Sequence, residues 1–244
     1  MNAHVISGLL LLATGTLASA ATYSFGTSAE YDANFREVQL GGSIGHNAAG
    51  YVSNTGLNQT VVVAYDTDAA GPGTTLYPIT LGTTLNVSAD VRMNNPGSFA
   101  FYFSAVGGGS TYLTLLNPTS GNDQVRILNG GNMPTGTIGT PDVNDSTTNP
   151  MNLNEFTNIS ASLQVLSANS LRISMTVGTQ TFSHDYTGIT LPSSVEIAVR
   201  SFNPNTAGSS IDIDNFVVTD PIPEPSAIGL AGLGLLGLAA RRRR

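Results

Sequence analysis

Residues 85–93 read Leu-Asn-Val-Ser-Ala-Asp-Val-Arg-Met. Leu85, Val87, Ala89, Val91 and Met93 fall on one side of this segment, and Asn86, Ser88, Asp90 and Arg92 on the other. A helix would spread apolar residues at this spacing around its axis. An extended chain turns successive side chains to opposite faces and gathers them on one surface that can be buried. The segment therefore predicts a strand with one dry face and one wet face. The same period recurs in Phe99, Phe101 and Phe103; in Ile159, Ala161, Leu163 and Val165; in Leu171, Ile173, Met175 and Val177; and in Val195, Ile197 and Val199. Further strands are expected at 23–25, 35–40, 60–64, 111–116, 125–128, 181–186 and 211–218. Clusters of Gly, Pro, Asn and Ser at 69–73, 94–98, 106–110, 129–132 and 203–209 read as turns between them. No segment shows a helical stripe. About a dozen short alternating strands predict an all-β protein, an antiparallel two-sheet β-sandwich or jelly roll.

Two irregularities qualify this reading. In the last strand Ile211 and Ile213 share one parity while Phe216 and Val218 share the other, so a bulge near Asn215 is needed to bring all four to one side. The Pro-containing stretch 134–150 is expected to be a long loop.

The chain has 244 residues, no cysteine and no tryptophan, and only 10% of it is charged. Disulfides and thiolate chemistry are excluded, so the fold must stand on its core. Between residues 21 and 220, five arginines face fifteen carboxylates, a formal charge of −10. Such a body repels nucleic acid, and no nucleic-acid partner is expected.

The two ends differ from this body. Residues 1–20 contain an apolar stretch from Val5 to Leu17 and close with Ala18-Ser19-Ala20, the small-x-small pattern of a signal peptidase site. They read as a signal peptide cut between Ala20 and Ala21, with the Sec machinery and signal peptidase as partners. At the other end, Pro221, Pro223 and Pro225 bar helix and sheet pairing and predict an exposed extended linker. Residues 226–240 are uncharged and rich in Gly, Ala and Leu. As a helix they would rise about 22 Å, short of a hydrocarbon core about 30 Å thick. Arg241, Arg242, Arg243 and Arg244 would hold their end on the cytoplasmic side. This arrangement predicts a short transmembrane helix that makes a transient inner-membrane stop.

The order of Pro223-Glu224-Pro225, an apolar 226–240 and the terminal Arg241–Arg244 resembles the PEP-CTERM sorting signal of Gram-negative bacteria. The resemblance implies that residues 221–244 are a sorting segment whose Pro223, Glu224 and Pro225 are recognised by the membrane enzyme exosortase. It implies release or transfer of the protein to the cell surface or extracellular matrix, in association with exopolysaccharide, biofilm or floc. Residues 21–220 would then be the exported β-sandwich domain. A plain tail anchor is the alternative. The strand order after residue 85, ending in "IDIDNF" at 211–216, resembles the lectin-like, concanavalin-type jelly rolls. That resemblance implies a carbohydrate-binding module as an alternative role for the body.

Candidates for chemistry are weak. Gly-x-Ser-x-Gly surrounds Ser43, but a nucleophile elbow must lead from strand into helix, and residues 46–56 carry no helical stripe. His46 and His184 are the histidines that remain outside the leader. A glycosidase carboxylate triplet on one strand would need Glu-x-Asp-x-Glu, and the nearest stretch, Glu30-Tyr31-Asp32-Ala33-Asn34, ends in Asn. The Asp66 and Asp142 loops lack the later ligands of an EF-hand. A structural Ca²⁺ would have to draw on Asp66, Asp68, Asp142, Asp145, Asp212 and Asp214 from separate segments. Sugar stacking would have to draw on Tyr31, Tyr51, Tyr77, Tyr102, Tyr112 or Tyr186. No catalytic residue, metal site or cofactor is expected, and the body is expected to be non-enzymatic.

Overall fold

The computed structural model describes residues 20–40, 44–56, 59–65, 75–106, 110–118, 123–130, 140–147, 151–203 and 206–219. In chain order its elements are β1 (Ala20–Tyr23), α1 (Ser28–Asn34), β2 (Phe35–Leu40), β3 (Ile44–Asn47), β4 (Tyr51–Asn54), β5 (Gln59–Tyr65), β6 (Tyr77–Pro78), β7 (Thr84–Met93), β8 (Ser98–Val106), β9 (Tyr112–Asn117), β10 (Gln124–Asn129), β11 (Pro141–Ser146), β12 (Thr157–Ser167), β13 (Ser170–Val177), β14 (Gln180–Thr187), β15 (Ser194–Asn203) and β16 (Ile211–Thr219). The strands form two antiparallel sheets packed face to face. Sheet I has the order β14-β13-β12-β7-β16-β4-β3, with β1 alongside β16. Sheet II has the order β11-β10-β9-β8-β15-β5-β2, with β6 alongside β15. Among the described residues no helix is long and apolar enough to cross a membrane; the tail 226–240 lies outside them.

The alternation at 85–93 does what its pattern requires. Leu85, Val87, Ala89, Val91 and Met93 are buried between the sheets, and their polar neighbours line the outer surface of sheet I. β12 and β13 alternate in the same way. The expected bulge is present: the register between β16 and β7 shifts between Asp214 and Val217, and Asn215 takes a positive φ of 46°. Ile211, Ile213, Phe216 and Val218 consequently all enter the core.

Sheet II behaves differently. Its inner face supplies Val61, Val63, Phe99, Phe101, Phe103, Leu116, Ile197 and Val199 to the same core. Its outer face carries a second buried apolar cluster of Val62, Ala64, Ala100, Tyr102, Leu113, Leu115, Leu128 and Ala198. Strands buried on both faces read as continuous apolar runs, as in Val61-Val62-Val63-Ala64 and Phe99-Ala100-Phe101-Tyr102-Phe103. At one edge of the sandwich an aromatic group of Tyr23, Phe25, Tyr31, Phe35, Tyr65 and Phe216 joins the sheets, with Phe35 edge-on to Phe216 at 5.2 Å.

Three expectations need correction. A helix is present: α1 starts at the cap Thr27, whose side chain accepts from Glu30 N at 3.2 Å, while Glu30 Oε2 accepts from Gly26 N at 3.1 Å. It buries one side chain, Tyr31, too few to leave an apolar stripe. The stretch 134–150 contains β11, an exposed strand paired with β10 at the edge of sheet II. β3, β4 and β6 also form strands where none was expected; they are too short to display a period.

Candidate functional site

The outer surface of sheet I is built by strand register. Val217, Ser88, Ser160, Thr176 and Thr181 are successive cross-strand partners, as are Thr219, Asn86, Ser162, Ser174 and Ser183. Two rows of small side chains, polar except for Val217, thus run across β16, β7, β12, β13 and β14. Thr176 and Thr181 share a hydroxyl hydrogen bond of 2.8 Å. The short side chains leave a groove of about 310 Å³ over these rows, without a charged residue in its lining. It offers hydroxyl and amide hydrogen bonds, and no acid, base or activated nucleophile lines it.

Charged groups lie beyond the groove. Arg172 pairs with Asp185 at 2.6 Å. That hydrogen bond is the main reason the Asp185 carboxyl sits below its usual range. Asp90 and Asp214 are direct cross-strand partners, and Asp90 accepts from the amides of Asn158 and Asn215, each at 2.8 Å.

At the far end of β7 and β16, Arg92 and Asp212 form an ion pair of 2.8 Å, and Ser53 donates to the other oxygen of Asp212 at 2.5 Å. Desolvation opposes the charge on Arg92, but Asp212 outweighs it and holds the guanidinium above its usual range. The Arg92 guanidinium carbon lies 4.9 Å from the centre of the Tyr51 ring and 4.6 Å from that of Phe156. Asn47, Thr55, Asn94, Asn154 and Ser210 complete a cleft of about 370 Å³ beside them. Tyr51 is the aromatic side chain of its lining, and Phe156, 39% exposed, packs edge-on against the Tyr51 ring at 5.9 Å.

The sequence-derived candidates are distributed as follows. Ala20 and Ala21 open β1 and pair with Thr219 and Val218. Ala18, Pro223, Glu224, Pro225, Arg241, Arg242, Arg243 and Arg244 lie outside the described residues, as do Ser43, Asp66 and Asp68. His46 is engaged through Nε2 with the Phe25 carbonyl at 2.7 Å, and His184 packs on Tyr186 with ring centres 4.6 Å apart. Glu30 and Asp32 lie on α1, where residues two apart do not share a face. Asp142 accepts from Tyr186 and from Asn129 N, on a different strand from Asp212 and Asp214. Among the described residues no three His, Cys, Asp or Glu side chains group as metal ligands. Of the six tyrosines considered for stacking, Tyr31, Tyr77, Tyr102, Tyr112 and Tyr186 are buried; Tyr51 alone borders a cleft. The sequence reading missed Phe156 and Arg92, because nothing short of the register reveals that they meet Tyr51.

Comparisons with known proteins agree with both resemblances. Residues 221–244 match the PEP-CTERM protein-sorting motif. No curated protein matches the chain in sequence. Among solved structures, the carbohydrate recognition domain of Emp46p in its potassium-bound form aligns with a TM-score of 0.53 at 12% identity, covering 78% of this chain and 90% of that one. The legume lectin-like domain from Entamoeba histolytica aligns with a TM-score of 0.50 at 10% identity, covering 80% and 94%. At such identities the likeness concerns the fold alone: the body shares a two-sheet antiparallel sandwich with these domains.

Proposed function

We propose that this chain is an exported surface protein whose C-terminal segment is recognised and processed by exosortase, and whose body is a non-catalytic β-sandwich retained at the cell surface or in the surrounding matrix. The observation that carries this reading is the sorting motif at 221–244. The fold agrees with it. Ala20 and Thr219 are register partners, so the segments beyond them start from neighbouring strand ends about 5 Å apart. A leader and a membrane-directed tail attached there would address the same membrane from the same side of the sandwich. Cleavage after Ala20 leaves Ala21–Tyr23 on the ladder with β16.

Intact-mass analysis of the protein from its own host tests the proposal. The expected product starts at Ala21 and lacks 226–244. A full-length C-terminus throughout the envelope fraction overturns it in favour of a plain tail anchor. Glu224→Ala should leave export intact and trap unprocessed protein in the inner membrane.

Carbohydrate binding is a second reading of the body. It is supported by the uncharged hydroxyl groove and by the cleft that Tyr51 lines, with Phe156 packed on the Tyr51 ring, since sugar hydroxyls need neutral donors and acceptors and sugar rings need an apolar surface. Exopolysaccharide is the partner this reading implies. Glycan binding by the full body, lost in Phe156→Ala and Tyr51→Ala, is its expected result; flat binding across glycans removes it.

A further inference from the structure

The end of the sandwich from which the tail departs is closed by loops that hold leucines in solvent. Ala20 and Thr219 face each other across β1 and β16 at this end, and Thr219 is also the partner of Asn86 on β7. β7 extends past that point through Leu85 and Thr84 to the loop 79–83, which therefore projects beyond the exit of the tail by roughly 10 Å at about 3.3 Å per residue. Backbone hydrogen bonds stitch the loops 79–83, 166–169 and 188–193 into one platform. Val165 N–H donates to the Thr83 carbonyl at 2.8 Å, Ile79 N–H to that of Ser193 at 3.0 Å, and Ile189 N–H to that of Asn169 at 3.1 Å. On this platform Leu81 is 67% exposed and Leu166 38%. Leu76, 44% exposed, flanks it where β6 joins sheet II.

The same end lacks charge. No charged residue occurs in 75–89, 157–171 or 186–195. The first charged residues of β13 and β14 from this end are Arg172 and Asp185, which neutralise each other at 2.6 Å. Of the neighbouring segments outside the described residues, 107–109 and 131–139 carry no charge. The segment 66–74, between β5 and β6 of sheet II, carries Asp66 and Asp68, whereas Leu81 and Leu166 belong to loops at the ends of sheet I strands. The body as a whole holds five arginines against fifteen carboxylates between residues 21 and 220. The other exposed large apolar side chains among the described residues, Leu153 and Phe156, lie toward the opposite end, on either side of Glu155 in sequence.

We infer that this platform is the face that the body sets against the bilayer entered by its tail, with Leu81 and Leu166 at the boundary between headgroups and acyl chains. The inference rests on the reading of 221–244 as a membrane-directed segment and adds to it an orientation of the body. Exposed apolar side chains grouped on one surface mark an interaction site, and here they stand beside the point where the tail departs. A net-acidic body is repelled by anionic lipid, so the uncharged end is the one that can approach. A few leucines bind a bilayer weakly and reversibly alone, and a second membrane signal on the same chain makes the contact stable. The linker fits this posture. Residues 220–225 span roughly 19 Å at about 3.1 Å per residue as a proline-rich extended chain, more than the projection of the loop 79–83. The tail can therefore enter the bilayer while the leucines touch it, and the gap beneath Thr219 leaves Pro223-Glu224-Pro225 beside the surface. A second copy seated on these loops would bring the two tail exits head-on and leave them no common membrane to enter.

The native sequence has no tryptophan, so a single introduced indole reports its own surroundings. The full chain carrying Leu81→Trp or, as the control at the opposite end, Leu153→Trp is reconstituted into vesicles of phosphatidylcholine and phosphatidylglycerol, with and without bromine on the acyl chains near the headgroup. Leu81→Trp emission should shift to the blue on reconstitution and be quenched by bromine several-fold more than that of Leu153→Trp. Adding Leu166→Glu to Leu81→Trp should cut the quenching several-fold while the chain floats with the vesicles as before. A chain that floats with equal quenching at both positions, or with none at Leu81→Trp, overturns this inference alone. A chain that does not float overturns the membrane reading of the tail and this inference with it. A blue shift of Leu81→Trp without lipid that grows with protein concentration overturns it in favour of a second copy. None of these readouts involves exosortase, so they are independent of the sorting reaction.

Discussion

Asp214 and Asp90 are direct partners on adjacent antiparallel strands of sheet I, a position at which like charges repel. The Asn158 and Asn215 amides donate to Asp90, and the backbone N–H of Asn215 donates to Asp214 at 2.7 Å. Desolvation, against that backbone bond and with help from the charges of Asp90 and Glu30, raises the Asp214 pKa above its ordinary value. The folded state therefore holds this proton more tightly than the unfolded chain. Its contribution to stability is greatest in acid and falls as pH rises from the ordinary carboxylate value through the folded one. Asp214→Asn keeps an acceptor for Asn215 and deletes the charge. It should stabilise the protein by about 0.5 kcal/mol at neutral pH, and the gain should vanish below the carboxylate range. Urea unfolding of both proteins across pH checks this; a gain that persists in acid would rule out repulsion as the cause.

Asn215 has two tasks, and two substitutions separate them. Its φ of 46° lies in the left-handed region, which costs an ordinary residue about 1–2 kcal/mol. Its side chain also donates to Asp90. Asn215→Ala loses both and should destabilise by about 2 kcal/mol. Asn215→Gly restores the backbone and should recover half or more of that loss. Deleting the residue should cost less than Asn215→Ala, because it removes the parity break and leaves Phe216 opposite Ala89, on the core face with Ile211 and Ile213, without a bulge.

Sheet I was legible in advance because one of its faces is wet. β7, β12 and β13 alternate residue by residue, and the parity break in β16 located the bulge at Asn215. Sheet II was legible as strands but not as a doubly buried layer. The runs at 61–64, 99–103 and 112–116 carried that information in their missing alternation; attention to the inward phenylalanines alone passed over Ala100, Tyr102 and Leu113. The cleft at Arg92 was not legible. Tyr51, Arg92, Phe156 and Asp212 are dispersed along the sequence, and only strand pairing brings them together.

Thr114 offers a test of the inner face of sheet II. It lies opposite Phe101 and Ile127, is 0% exposed, and its hydroxyl has no hydrogen-bond partner among the described residues. Thr114→Val keeps the branched shape and removes a polar group whose burial is uncompensated. It should stabilise by about 1 kcal/mol, read as a higher urea midpoint at unchanged slope. Thr114→Ser should not reproduce the gain, because it retains the hydroxyl and removes a methyl group.

The distance between the sandwich and the sorting motif gives the last prediction. Thr219 is fixed on both sides, by Ala20 and by Asn86, and Pro223 follows after Asp220, Pro221 and Ile222. That spacer spans roughly 10–13 Å when extended, about the thickness of one sheet layer. An enzyme that takes Pro223-Glu224-Pro225 as an extended strand needs that clearance from a body that cannot yield without breaking the β16 ladder. Deleting 220–222 should therefore leave export and folding unchanged and block removal of 226–244. Replacing the same residues with Gly-Ser-Gly should restore processing, since length matters here and sequence does not. Mass spectrometry of the C-terminal peptide in each variant, with urea unfolding to confirm an intact body, gives the answer. Processing that continues in the shortened chain would mean that the motif is not read in extended form beside the sandwich.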